Sequence, residues 1–295
     1  MKAFQKRLLG QASTVALKIA LRWMSKKDAI EADMAGAKLG RLAFRFAKKH
    51  RYRTRENLKL AFPEMDEAER EQLAIRVFEH FGRVTTDFLR IPSRSNEEVI
   101  AAMTSENLEG LDRLLQQGKG VIAITAHFGN WERMAQFYTA MGKPLAVVAR
   151  DANAAGLNQL VNELRSKVGL EVIPRGSGRQ VLTTLRANRL VAILPDQNSG
   201  ESFLPFFGHP CGTVLGPGVL ALRTGAPVVT SFCYRTGPGT YHSVTGPEIV
   251  SPDGTAEGLM GEVNKAIEAM IRQHPEQYLW LHDRWKSARQ QGLLG

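Results

Sequence analysis

The residues best suited to chemistry are His127 and Glu132, in the run Ala126-His127-Phe128-Gly129-Asn130-Trp131-Glu132. An imidazole followed by a carboxylate supplies a base and its orienting group, provided the chain bends so that the two meet. Gly129 permits a tight bend and Asn130 is a suitable helix N-cap. The expectation is therefore that Glu132, in the first turn of a helix, folds back on the imidazole. Such a pair is the rear of a triad without a protein nucleophile, a base that activates the hydroxyl of a bound substrate. The anion that develops needs donors. Those expected are the backbone N–H groups of the bend at Gly129 and Asn130 and of the following helix start, or a nearby Arg. HExxH, CxxC and Walker-type glycine loops are all missing, so no metal or cofactor is expected.

These side chains need a scaffold, and the pattern around them supplies one. Val121-Ile122-Ala123-Ile124-Thr125 is a short apolar run of the kind buried on both faces of a sheet. Similar runs recur at 145–149, 171–173, 190–194 and 227–232, separated by helical stretches near 131–141, 156–168 and 179–187. Strands alternating with helices predict an α/β fold with a mostly parallel central sheet covered by helices. Ligands bind such sheets beyond the carboxyl ends of their strands, which is where His127 stands. Arg150, Arg175 and the Asp196-Gln197 pair end three other strands and face the same crevice.

The front of the chain reads as helical. Leu73, Val77, Phe81, Val84 and Phe88 recur at steps of three and four from Asp66 to Arg90, one face of a long buried helix, and residues 29–49 read similarly. The expected organisation is a basic amphipathic membrane-associating helix over 1–28 and a single domain over 29–295, with a helical front at 29–118 and a catalytic body at 119–295.

Charge is distributed unevenly. Net charge is +10 over 295 residues, yet residues 1–60 carry +12 and the remainder −2. A basic block of this kind attracts anionic lipid, nucleic acid or an acidic protein. The longest uncharged run near the N-terminus, Leu8–Leu17, is too short to cross a bilayer. With Leu9, Ala16, Ala20 and Trp23 against Lys2, Lys6, Lys18 and Arg22, the segment suits a helix lying in the headgroup layer. Two cysteines, Cys211 and Cys233, build no disulfide framework or zinc ribbon.

A His followed by an acid five positions later is the signature of the glycerolipid acyltransferase superfamily, and its context here resembles the bacterial late acyltransferases of lipid A biosynthesis. Other blocks resemble that family in the same order: Arg55-Glu56-Asn57-Leu58 with Phe62-Pro63-Glu64, then Asp196-Gln197, Phe206-Phe207-Gly208 and Gly216-Pro217. The last is Pro275 to Trp280 followed by His282, Arg284, Trp285 and Lys286, so the likeness runs from about Arg41 to Lys286. The N-terminus departs from it, lacking the clear single span of many members. The resemblance implies a glycerol-3-phosphate acyltransferase-like fold and transfer of a lauroyl- or myristoyl-type chain from a thioester to a hydroxyl of a lipid A precursor. His127 would be the general base oriented by Glu132, and acyl carrier protein or coenzyme A the donor carrier. It places the protein on anionic lipid at the cytoplasmic face of the inner membrane. Because such acceptors carry phosphates, Arg150, Arg165 and Arg175 become substrate-binding candidates. Arg165 matches a basic position of the family. Asp196 is expected to orient an Arg or bind a sugar hydroxyl, with Gln197 and Glu201 beside it.

Other classes fit less well. Ser177, in Pro174-Arg175-Gly176-Ser177-Gly178, is not the nucleophile elbow a serine hydrolase needs. A phosphatidylinositol mannoside or aminolipid acceptor would leave the chemistry unchanged. A non-catalytic lipid- or nucleic-acid-binding protein would use Lys48-Lys49-His50-Arg51-Tyr52-Arg53 but leave His127 and Glu132 without purpose.

Overall fold

The structure, a computed structural model, describes residues 18–149 and 157–294. Most of the expected 1–28 helix, and Arg150, therefore lie outside the described residues; residues 18–24 are helical. Three helices then lead into the body, α1 (Ala29–Phe46), α2 (Lys48–Ala61) and α3 (Glu67–Phe88), followed by the short α4 (Asn96–Ala101) and α5 (Leu108–Leu115). Asp28 with Glu31, and Asp66 with Glu69, form capping boxes that satisfy the first N–H groups of α1 and α3. Of the apolar stripe read for α3, Leu73, Val77 and Val84 are buried, while Phe81 and Phe88 are only half-buried. Residues 29–49 depart from expectation. The buried side of α1 is Ala32, Gly36, Ala37 and Gly40, and its large apolar residues face outward except Phe44, which packs edge-on against Phe78.

The body is α/β with a mostly parallel sheet of seven strands: β1 (Met103–Glu106), β2 (Val121–Ile124), β3 (Leu145–Ala149), β4 (Glu171–Pro174), β5 (Leu190–Ile193), and β8 (Val228–Gly237) with β9 (Thr240–Glu248). Their order is β1-β9-β8-β2-β5-β3-β4, and only the β8–β9 pairing is antiparallel. Side chains alternate along a strand, so β2 feeds two cores. Ile122 and Ile124 pack with Leu58, Leu73 and Ile267 on one face, Val121 and Ala123 with Leu111 and Tyr138 on the other. Strands β1 and β9 were not evident in the sequence. Nor was the small hairpin of β6 (Ser202–Phe206) and β7 (His209–Thr213), whose turn holds Phe207 at φ 50° and Gly208 at φ 75°. A two-residue turn with both φ positive matches strand twist, which gives Phe206-Phe207-Gly208 a structural role.

Candidate active site

Strand β2 lies between β8 and β5, with Ile124 beside Ile193. His127 and Asp196 each follow three residues later, so parallel pairing brings the imidazole and this carboxylate level with one another. Asp196 Oδ1 lies 2.8 Å from His127 Nδ1, and its Oδ2 accepts the His127 backbone N–H at 2.9 Å. The carboxylate selects the tautomer with its proton on Nδ1, leaving the lone pair on Nε2. Gln197 Nε2 stands 3.4 Å from that atom. Burial by itself would raise the Asp196 carboxyl, but the nearby imidazole, its hydrogen bonds and Arg284 outweigh this and hold it below its ordinary value.

Glu132 is in the first turn of α6 (Trp131–Ala140), as expected, but its hydrogen-bonding partners among the described residues are elsewhere. Arg165, on α7 (Leu157–Lys167), donates to both its oxygens, from Nε at 3.1 Å and from Nη2, and Trp131 Nε1 donates at 3.2 Å. Burial disfavours the guanidinium charge, yet Glu132 overcomes that and raises the Arg165 pKa above its ordinary value. The expected pairing of Glu132 with His127 is thus replaced by two pairs, His127–Asp196 and Glu132–Arg165. Between them the Trp131 ring stands edge-on to the imidazole, centroids 5.2 Å apart.

Gly129 and Asn130 build the bend. Gly129 has φ +58°, and a Cβ there would lie 1.8 Å from the Cys233 carbonyl oxygen, so no larger residue fits. The expected oxyanion role does not suit these two residues. The Gly129 N–H donates to Gln277 O and the Asn130 N–H to Cys233 O, both at 2.8 Å. The Asn130 side chain caps α6, accepting from Arg133 N at 3.0 Å, and donates to Asp87 Oδ2 at 2.9 Å.

Both pairs open on a cavity of about 800 Å³. Its walls are chiefly apolar, with Leu145, Val147, Val161, Val181 and Leu220, while Arg175, Gln197 and Glu201 add polar groups. Glu201 also accepts the Leu215 N–H at 2.8 Å. His127, Glu132, Arg165, Arg175, Gln197 and Glu201 thus meet at one cavity, with Asp196 buried behind His127, while Arg150 lies outside the described residues.

Sequence reading passed over two residues of α3 that support the loop, His80 and Asp87. Both fall on the stripe Leu73, Val77, His80, Val84, Asp87, and titratable residues at buried stripe positions were the available signal. His80 is buried, and its Nε2 lies 3.0 Å from the Gly129 carbonyl oxygen. Burial pushes its pKa down to about 4. The unfolded chain takes up this proton near pH 6.5 and the folded chain only near 4, so stability is complete above that window and falls as pH drops through it. The loss between pH 7 and 4 is about 3 kcal/mol. Urea midpoints measured across that range should show it, and His80→Gln should flatten it. An unchanged slope in the variant would remove His80 as the cause.

The C-terminal block is packed rather than poised. Trp280 and Trp285 are fully buried, and Asn57 Nδ2 donates to the carbonyls of Trp280 and His282 at 2.8 and 2.6 Å.

The sequence matches the family described as bacterial lipid A biosynthesis acyltransferase over residues 6–287. It is 27% identical over 257 residues to a lipid A biosynthesis palmitoleoyltransferase of Escherichia coli K12, covering 85% of this chain and 84% of that one. A lauroyltransferase of lipid A biosynthesis from the same organism is 28% identical over 258 residues, covering 85% and 84%. A phosphatidylinositol mannoside acyltransferase of Mycobacterium tuberculosis CDC 1551 / Oshkosh is 25% identical over 217 residues, covering 70% and 68%.

Proposed function

The chain belongs to the bacterial lipid A biosynthesis acyltransferase family and is an acyltransferase, and from that premise we propose that it moves a fatty acyl group from a thioester to a hydroxyl of a lipid A precursor. The observation that carries this reading is His127, with Nδ1 engaged by Asp196, at a large apolar cavity. An alcohol is a poor nucleophile at neutral pH, so its proton must leave as its oxygen attacks. In the proposed step Nε2 takes the hydroxyl proton and the oxygen bonds to the thioester carbonyl carbon. The tetrahedral oxyanion then collapses, the C–S bond breaks, and the imidazolium returns its proton to the departing thiolate. The ester forms without an acyl-enzyme, and the transfer calls on no metal or redox cofactor.

The cavity takes the acyl chain in this reading, since apolar walls favour a hydrocarbon. Arg165 and Arg175 offer donors to an anionic headgroup. Arg165 keeps N–H groups beyond those given to Glu132, and the guanidinium fork suits phosphate. Acyl carrier protein or coenzyme A delivers the donor. The glycerol-3-phosphate acyltransferase-like fold that the resemblance implies is the finer reading proposed for this mostly parallel sheet. Among the described residues no helix is long and apolar enough to cross a membrane. The proposed location is the cytoplasmic face of the inner membrane.

The test gives purified protein an acyl thioester and either a lipid A precursor or the same glycolipid stripped of phosphates, with products read by mass spectrometry. One added acyl group on the phosphorylated acceptor is the expected product. Equal use of both acceptors would refute phosphate reading and favour an uncharged glycolipid or an aminolipid acceptor. No transfer with either, and none to a phosphatidylinositol mannoside, would overturn the assignment.

A further inference from the structure

Helix α1 is inside out for a helix in water. Its buried side holds Ala32, Gly36, Ala37 and Gly40, while Ile30, Met34, Leu42 and Phe46 are 59, 55, 55 and 70% exposed. A globular surface helix ordinarily does the reverse, turning its large apolar residues to the core. The small inner side lets the backbones of α1 and α3 touch. A Cβ on Gly40 would lie 2.1 Å from the Phe78 carbonyl oxygen, and one on Gly82 would lie 2.0 Å from that of Gly36. Small residues four apart at the contact, with large ones outside, are the packing of helices whose outer surroundings are apolar.

Single exposed hydrophobics are ordinary, but a continuous patch marks an interaction surface. Eight of the fourteen large hydrophobics exposed among the described residues fall between Ile19 and Tyr52. Cations are interleaved with them. Lys38, Arg41 and Arg45 are exposed on α1, and Lys27 Nζ stands 5.6 Å from the ring centroid of Trp23, itself 55% exposed. Long cationic side chains place their stems against apolar surface and their charges in the headgroup layer. This combination of apolar face and excess positive charge is complementary to anionic lipid.

We propose that the outer face of α1 docks on an anionic lipid bilayer with the helix axis in the plane of the headgroups. The exposed apolar residues span the helix from Ile30 to Phe46, about 24 Å at the helical rise, so the whole length engages rather than one end. Attachment thereby extends beyond residues 1–28 into the folded body. The choice of a bilayer over another apolar surface rests on the lipid acceptor proposed above.

The experiment uses the full chain and vesicles of equal parts phosphatidylglycerol and phosphatidylcholine, with pure phosphatidylcholine as comparison. Binding should require the anionic lipid and weaken at high salt. Changing Ile30, Met34, Leu42 and Phe46 together to Ser should weaken it at least about tenfold. Lys38→Gln with Arg45→Gln should weaken it on the anionic vesicles only. Should the fourfold variant fail to fold, brominated lipid should still quench a Trp placed on α1 by Phe46→Trp in a Trp23→Phe background, with Trp23→Phe alone as reference. Unchanged binding by the folded fourfold variant, or no added quenching of the Trp placed at position 46, would overturn the proposal. So would conversion of a dimer to a monomer with vesicle binding intact, which assigns the face to a second copy. Transfer to detergent-dispersed acceptor separates the two readings. If it persists while vesicle binding never depended on α1, docking fails alone; if binding depends on α1 but no transfer occurs, the acyltransfer reading fails alone.

Discussion

Asp196→Asn lowers acyl transfer by about three to four orders of magnitude, the scale seen when the carboxylate behind a catalytic imidazole loses its charge. The reason is local. Asp196 accepts from both Nδ1 and the backbone N–H of His127, so it fixes the ring, its tautomer and the loop in one contact. An amide in its place can turn its NH₂ toward the imidazole, moving the ring proton to Nε2, where the acceptor hydroxyl needs a lone pair. His127→Ala removes the base altogether and loses at least as much. The double variant is no worse than His127→Ala, because residues that act as one unit are not additive. Purified variants, checked for fold by circular dichroism, are compared for single-turnover transfer. Near-normal turnover by folded His127→Ala would end the mechanism, and a covalent acyl-enzyme on any side chain would end direct transfer.

The second large effect belongs to Glu132 and Arg165. Their side chains are 10 and 18% exposed and joined by two hydrogen bonds, so truncating either leaves a mostly buried charge without its partner. That penalty is typically about 3–5 kcal/mol, equivalent to two or more orders of magnitude in a rate or an affinity. Arg165→Ala should show it mainly as a raised acceptor KM, while slow hydrolysis of the thioester by water survives because His127 and Asp196 are untouched. Glu132→Ala should resemble Arg165→Ala, and removing both side chains should cost less than the sum, since no lone charge then remains. Glu132→Gln should be milder, because an amide oxygen still accepts from the guanidinium. Loss of hydrolysis as well as transfer in Glu132→Gln, with Arg165→Ala retaining hydrolysis, would return Glu132 to the imidazole.

Much of this site is legible in the sequence. Apolar runs and alternating periods gave the body strands β2, β3, β4, β5 and β8 within a few residues. The rule that ligands gather beyond strand ends selected His127, Asp196 and Arg175; His127 and Arg175 line the cavity, and Asp196 stands behind the imidazole. These features are local in the chain: a strand buried on both faces must be apolar throughout, and a tight bend before a helix needs a residue such as Gly129.

What the tertiary structure alone decided is which strands are neighbours, and hence which carboxylate meets the imidazole. Glu132, five residues away, was the natural partner in one dimension. The structure instead sets Asp196, 69 residues on, beside His127, because β2 and β5 pair in parallel with Ile124 opposite Ile193. Occupancy of the Gly129 and Asn130 N–H groups by Gln277 and Cys233 is equally non-local. So is the inversion of α1. A period of three to four says that a helix has sides, but not which side is inward; that was decided by Gly82 on α3, whose missing side chain admits the small side of α1 and leaves the large one outside.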